Sequence, residues 1–311
     1  MAKKVAVPEG MIAAGSEYLI ERGYEVITTK SDQQDILAKA KDVDGIILYT
    51  EPIDNSTIDA MPNLKILARH GVGYDNIDYD YAASKGIWTT ITPNANAGTV
   101  AESTLAMMLD VSKNITQLSL SYRNGTGRSQ AIGFDLEGKT LGIMGFGRIG
   151  SLVAKKASGL GMNVLAYSRT KKDTPYAKFV DRDTIIKESD VLSLHMAVTD
   201  ETIHGIGAAE FKQMKDSAVL INLGRGALVD QDALITALKA GEIAGAGLDV
   251  TEPEPLPRDS ELFELPNVVL TPHVASNTVE SMTRMAVGAA SEIDRVLQGD
   301  QPKWALVDIN K

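Results

Sequence analysis

Short apolar runs alternate with amphipathic stretches of helical length along this 311-residue chain. The first series is strand-like at Val5–Val7, helical over Met11–Arg22, strand-like at Glu25–Thr29, helical over Gln33–Ala40 and strand-like again at Gly45–Tyr49. Apolar runs at Leu64–Ala68 and Ile87–Ile91 extend it, with a helical stretch at Tyr79–Lys85 between them. Strands that alternate with helices predict an open parallel sheet covered on both faces. A second series begins at Leu141–Met144 and continues through Val164–Tyr167, Val191–Leu194, Ala218–Leu223, Ala246–Val250 and Val268–Leu270. The fold expected is therefore α/β, with two doubly wound parallel-sheet domains. Long helices are expected at Thr99–Leu118 and Val279–Leu297, and the polar, glycine-rich Gly125–Gly133 is the most linker-like segment.

One junction of the second series carries chemistry. Gly145–Gly150 reads GFGRIG between the apolar run Leu141–Met144 and a helical pattern formed by Ile149, Leu152, Val153 and Ala157. In such a turn Gly145 permits the tight bend, Gly147 lets the backbone approach a pyrophosphate, and Gly150 lets helix pack on strand. The helix N-terminus then faces the anion. The next strand ends in Ser168 and Arg169, where an NAD site places an acid on the ribose hydroxyls. An acid there would repel a 2′-phosphate, whereas Ser168 can donate a hydrogen bond, Arg169 can pair with phosphate, and Lys171 and Lys172 add positive field. NADP is the favoured cofactor and NAD the possible one.

Bulk composition narrows the chemistry further. A net charge of −10 and a pI near 5.0 argue against nucleic acid or an anionic membrane as partner. The chain has no cysteine, so thiolate nucleophiles, zinc–thiolate sites and iron–sulfur clusters are removed together, and no metal is expected. The first ten residues carry no basic-plus-apolar signal, and no apolar stretch reaches the roughly 18 residues of a membrane span, so a cytoplasmic protein is expected. Gly133–Thr140, GFDLEGKT, matches the P-loop string but precedes a strand instead of opening a helix, and Asp135 and Glu137 would put negative charge in the cradle. It is expected to be a turn.

Three later strand ends carry an Arg, a carboxylate and a His: Asn222–Gly226, Leu248–Pro255 and Thr271–Ser276. Ligands of open α/β sheets lie at this carboxyl edge, where the three groups can converge. The set suits reduction of a 2-oxo acid. Arg225 would hold the carboxylate and polarise the ketone, and His273, favoured as imidazolium by Glu254, would supply a proton as hydride arrives.

The ordered motifs GFGRIG, INLGRG, AGLDVTEPEP and TPHVAS, with ARHGVGYDNID in the first series, resemble the D-isomer-specific 2-hydroxyacid dehydrogenase family over nearly the whole chain. The resemblance implies a Rossmann cofactor domain, residues 97–283, inserted into a flavodoxin-like substrate domain, residues 1–96 and 284–311. It also implies a homodimer formed through the cofactor domain. The family's catalytic Arg and His fall on Arg225 and His273, and its Glu, five residues after Asp249, falls on Glu254 and not Glu252. Cofactor contacts fall on Val72, Arg148, Ile149, Ser168, Leu223, Gly224 and Asp249. With the three glycines, Arg169, Thr170, Arg225, His273 and Ser276, they complete the expected cofactor set. The turn at Val72 and Gly73 would offer amides to the substrate carboxylate, and Tyr49 and Arg69 join Arg225 and His273 as expected substrate contacts.

Two departures from the family pattern are informative. The chain has His195-Met196-Ala197 where the family usually writes His, any residue, Pro, and the acid at 168 is missing, as in its NADPH-preferring glyoxylate and hydroxypyruvate reductases. His195, after a buried strand, is expected to be structural, while His70 could touch substrate. Arg69 before HGVG resembles the phosphoglycerate dehydrogenase branch, which leaves an NAD-linked activity of that kind as an alternative. A cofactor-sensing protein, like the family's transcriptional corepressors, is the alternative of a different class.

Overall fold

The structure, a computed structural model, describes residues 2–126 and 131–310. Residues 127–130, the middle of the expected linker, lie outside the described residues. In chain order the elements begin with β1 (Lys4–Pro8), α1 (Ala13–Ile20), β2 (Glu25–Thr29), α2 (Gln33–Ala40), β3 (Gly45–Leu48), α3 (Asn55–Asp59), β4 (Ile66–Arg69), α4 (Tyr79–Ser84) and β5 (Trp88–Thr90). The described strands of this part form one parallel sheet in the order β2-β1-β3-β4-β5, the flavodoxin arrangement. Its two faces are covered separately. Ala6, Ile46, Leu48 and Leu67 pack with Ile36 and Ile58 on one side, while Val5, Ile47 and Ile66 pack on the other.

The chain then runs through α5 (Ala97–Lys113), α6 (Ile115–Arg123), β6 (Thr140–Met144), α7 (Arg148–Ser158), β7 (Asn163–Tyr167), β8 (Lys178–Phe179) and α8 (Arg182–Glu188). It continues with β9 (Val191–Leu194), α9 (Ala208–Phe211), β10 (Val219–Asn222), α10 (Gln231–Ala240), β11 (Gly245–Leu248), β12 (Val268–Leu270) and α11 (Val279–Gln298). The second parallel sheet has the order β12-β11-β10-β9-β6-β7-β8, a Rossmann arrangement whose direction of winding switches between β6 and β9. Its strands are apolar at successive positions because both faces are buried. Leu141 and Ile143 of β6 join one core cluster, Met144 joins the opposite one, and β10 divides the same way, Val219 and Ile221 against Leu220.

Two compact units result. One comprises the chain up to Asn96 together with Asn277 onward, and the other is Ala97–Ser276. The return crossing falls ahead of the expected 283/284, because α11 belongs whole to the first unit. Thr278 caps it by accepting from the Ser281 amide at 3.2 Å, and its buried Ala289, Ala290, Ile293 and Val296 complete the core around Val5 and Ile66.

The expected helix Thr99–Leu118 is two helices, α5 and α6. Asn114 between them is left-handed at φ 54°, and the Asp110 carboxylate takes the Thr116 amide and hydroxyl at 2.7 and 2.5 Å, so side-chain bonding replaces the helical ladder. The P-loop-like string Gly133–Thr140 is a turn entering β6, with Gly138 at φ 75° and the Lys139 amide donating to Leu136.

Gly142 marks a close approach of β6 to α8 and its C-terminal cap in the second unit. A Cβ there would lie 2.0 Å from Ser189 Oγ and 2.8 Å from Ile185 Cγ1. Gly142→Ala is therefore expected to destabilise this unit by about 1–3 kcal/mol through overpacking. In thermal denaturation this appears as a Tm lower by several degrees; an unchanged Tm would contradict the close approach.

Candidate active site

The glycine turn between β6 and α7 has a separate steric reason at each glycine. Gly145 is at φ 97°, and a Cβ on it would lie 2.5 Å from the His195 carbonyl that follows β9, at the switch point of the sheet. A Cβ on Gly150 would lie 2.2 Å from Gly145 O. Gly147, the N-cap of α7, differs from both: a Cβ there meets nothing within 4 Å, and no side chain caps the helix. The first-turn amides of α7 therefore open onto free space, where an anion is favoured by the orphan N–H groups and the helix dipole.

A cavity of about 260 Å³ adjoins the turn. Gly145, Gly147, Ser168 and Arg169 line one side, and Arg182, His195, Thr199 and Thr202 line another. A dinucleotide fits this arrangement. The amides around Gly147, Arg148 and Ile149 would hold the pyrophosphate, and Ser168 and Arg169 would meet the adenosine ribose. Thr170 follows them, exposed. The His195 ring is 2.9 Å from Ser193 Oγ, and burial pushes it down to about 4, so it is a neutral wall of the cavity. Arg182 is held by Glu210 at 3.0 Å and by the Gly205 carbonyl. Neither Arg182 nor Glu201, which also lines the cavity, had a sequence signal, because both reach it only through the tertiary path of their loops.

β10, β11 and β12 are neighbours and parallel, so the three chemistry-bearing segments leave one edge of the sheet. At the end of β10, Asn222 accepts from the Gly224 amide at 3.0 Å and donates to the Arg225 carbonyl at 2.8 Å, shaping the turn. The Arg225 Nη1 donates to Gly224 O at 2.8 Å. Leu223 is buried, and Gly224, Arg225 and Ser276 are half-buried.

After β11, Asp249 is 2% exposed. Its carboxylate accepts from Thr271 Oγ1 at 2.6 Å, Val274 N at 2.8 Å and Ala275 N at 2.9 Å, and its carbonyl accepts from His273 N at 2.8 Å. Asp249 was expected to contact cofactor. In the structure both its carboxylate oxygens accept from the turn after β12, so the residue also shapes that turn.

His273, in this turn, is left-handed at φ 54°. Its Nδ1 is 2.6 Å from Glu254 Oε1, with the two side chains 32% and 39% exposed. A carboxylate accepting from Nδ1 fixes the ring's orientation and leaves Nε2 as the outward proton carrier. The pair remains reachable from solvent. Among the described residues no cluster of three or more His, Asp or Glu side chains is arranged for a metal ion.

In the first unit, Arg69 is 6% exposed at the end of β4. Its Nη1 donates to the carbonyls of His70 and, at 3.5 Å, Leu48, and a Cβ on Gly71 would lie 3.1 Å from that nitrogen. The expected substrate-binding Arg69 is thus buried in this structure, with its Nη1 on main-chain carbonyls beside the turn at Gly71. Gly71, at φ 140°, is tied to Thr92 in both directions, its amide donating to Oγ1 at 2.9 Å and its carbonyl accepting from Thr92 N at 2.8 Å. Val72 and Gly73 follow it half-buried. His70 is 5% exposed and packs edge-on against half-buried Tyr49, ring centroids 5.0 Å apart.

The glycine turn, the open helix end and an acid–base pair at the same sheet edge define a nicotinamide-dependent oxidoreductase. The family model for the D-isomer specific 2-hydroxyacid dehydrogenase NAD-binding domain matches residues 105–275. A glyoxylate reductase of Thermococcus litoralis is 42% identical over 301 residues, covering 91% of each chain. A D-3-phosphoglycerate dehydrogenase of Archaeoglobus fulgidus is 38% identical over 303 residues, 95% of this chain but 58% of that protein. Among solved structures, the NADPH-dependent glyoxylate/hydroxypyruvate reductase of Sinorhizobium meliloti in complex with NADP and malonate superposes with a TM-score of 0.89 at 29% identity, covering 99% of this chain and 97% of that one. The chain belongs to the D-isomer-specific 2-hydroxyacid dehydrogenase family. It is an NAD(P)-dependent dehydrogenase acting on CH–OH groups.

Burial and the neighbouring Arg69 charge push His70 down from 6.5 to about 4. The folded state thus holds this imidazole neutral, while the unfolded chain takes up its proton near pH 6.5. The resulting stabilisation is complete above pH 6.5 and is lost as pH falls toward 4; by pH 5 the loss is about 2 kcal/mol. His195 acts in the same direction. Urea unfolding at pH 7 and pH 5 should show that wild type loses more stability on acidification than His70→Gln; equal losses would contradict the assignment.

Proposed function

We propose that this enzyme reduces small 2-oxo acids, such as glyoxylate or hydroxypyruvate, to D-2-hydroxy acids with NADPH in preference to NADH. The observation that carries the reading is the 2.6 Å contact between His273 and Glu254 at the carboxyl edge of the dinucleotide-type sheet. The bound cofactor supplies a hydride to the carbonyl carbon. His273 donates the proton to the carbonyl oxygen, Glu254 holds the ring, and Arg225 binds the carboxylate and polarises the ketone. Ala97–Ser276 is the cofactor domain in this reading and the other unit is the substrate domain, with Tyr49, Val72 and Gly73 retained as substrate contacts. Arg69 drops out of that set as a direct contact.

The NADPH preference rests on residue 168. No acid there opposes a 2′-phosphate, and Arg169 lines the cavity beside Ser168. One charge-assisted hydrogen bond of about 1.5–3 kcal/mol corresponds to roughly one to two decades in cofactor preference.

A homodimer through the cofactor domain is supported by α6, none of whose residues is buried: Ile115, Leu120 and Tyr122 are 54%, 55% and 79% exposed, and Ile132 nearby in sequence is 93% exposed. Such apolar exposure fits a partner surface.

The phosphoglycerate dehydrogenase-like reading keeps the Archaeoglobus relative in its favour, and the buried Arg69 counts against it. The corepressor-like reading is opposed by the intact Arg225, Glu254 and His273 set.

A panel of glyoxylate, hydroxypyruvate, aryl pyruvates and 3-phosphohydroxypyruvate, run with both cofactors, tests the proposal. Glyoxylate or hydroxypyruvate is expected to lead, with kcat/KM about 10–100-fold higher for NADPH than for NADH. A 3-phosphohydroxypyruvate maximum would favour the second reading, and no turnover with tight cofactor binding the third. Ser168→Asp should move the NADPH:NADH ratio toward NADH; an unchanged ratio would remove residue 168 from cofactor selection.

A further inference from the structure

The segment Thr251–Pro255 carries two glutamates, and each meets a histidine. Glu254 takes His273, and Glu252 Oε2 is 2.6 Å from His204 Nε2. Both histidines are left-handed, His204 at φ 49° and His273 at φ 54°; among the described residues Asn114 is the only other non-glycine with positive φ. Such a conformation is uncommon away from glycine, and it persists where surrounding contacts determine it.

The contacts that determine His204 connect three functional segments. His204 lies between Thr202 and Gly205, which both line the dinucleotide cavity. Its amide donates to Ala227 O at 2.8 Å, two residues beyond Arg225, and the ladder continues with Ile206 N to Leu228 O at 3.1 Å and Asp230 N to Ile206 O at 3.0 Å. Gly226 in turn presses on the glutamate segment: a Cβ there would lie 2.1 Å from Thr251 O. Glu252 N donates to Gln231 Oε1 at 3.2 Å.

The His204 and Glu252 side chains are 50% and 46% exposed. Ion pairs that exposed contribute little to stability, so the pair's effect lies in geometry. We propose that His204 and Glu252 are a positioning pair that ties the wall of the cofactor cavity to the segments carrying Arg225 and Glu254. The inference rests on the reduction proposed above. When the cavity wall is held against cofactor, His204 fixes Glu252, and Glu252 fixes the approach of Glu254 to His273 two residues on.

The test is steady-state kinetics with glyoxylate and NADPH, beside NADPH titration followed by its fluorescence, on the full chain. His204→Asn, which accepts the left-handed backbone but is too short to reach Glu252, and Glu252→Ala should each lower kcat about tenfold, with Tm little changed. The double variant should be no slower than either single one, since both remove the same contact. Glu252→Gln, whose amide oxygen still accepts the imidazole N–H, should recover most of the loss. In the titration, both single variants should weaken NADPH about threefold. Wild-type kcat in both single variants, losses that multiply in the double variant, or Glu252→Gln as damaged as Glu252→Ala would each overturn the positioning role. Absence of wild-type turnover with every 2-oxo acid would overturn the proposed reduction instead; the pair is then judged by the titration alone, where unchanged NADPH affinity in both single variants overturns it.

Discussion

The buried carboxylate of Asp249 is the constraint on which the acid–base geometry depends. A carboxylate at 2% exposure is costly to bury unless it is hydrogen-bonded, and here three donors from the turn after β12 satisfy both of its oxygens. These bonds constrain the shape of the turn. It sets His273 at φ 54° with Nδ1 toward the segment after β11, and Glu254 in that segment takes the Nδ1 proton. Asp249 therefore acts through hydrogen bonds on the turn that carries His273.

Parallel strand order makes this economical in sequence. Because β10, β11 and β12 run side by side in the same direction, an Arg, a Glu and a His from segments far apart in the chain leave the same edge. Glycines at the close approaches keep that edge compact: Gly145 against the His195 carbonyl, Gly150 against Gly145, and Gly226 against Thr251. Each is a place where one methyl group would force backbones apart. Of the three glycines in the turn after β6, Gly147 is the one that faces open space, which marks the ligand side of the turn.

Much of the fold was legible in the sequence, because strands buried on both faces give unbroken apolar runs and GFGRIG sits at a strand-to-helix junction. The offset from Asp249 that picked Glu254 over Glu252 coincides with the His273 contact in the structure. What stayed hidden depends on where side chains turn after the backbone is set. Arg69 reads like a ligand-binding cation, and its sequence position does not signal that its Nη1 meets the carbonyls of Leu48 and His70. Asp249 reads like a cofactor contact, and nothing in its sequence position signals that its carboxylate also holds the turn after β12. His204 carried no motif, and its partner Glu252 had been set aside; only the tertiary return of the loop before α9 brings them together. The break at Asn114 was invisible to helical periodicity because a side chain, Asp110, terminates the ladder.

His273, held by Glu254 and the Asp249 turn, is the proposed donor of the proton to substrate. Single-turnover and steady-state rates of His273→Ala, set beside its NADPH affinity by fluorescence titration, test this most directly. The account predicts a kcat lower by about 10²–10⁴-fold, with NADPH affinity close to wild type. A His273→Ala enzyme that keeps its full kcat would contradict it.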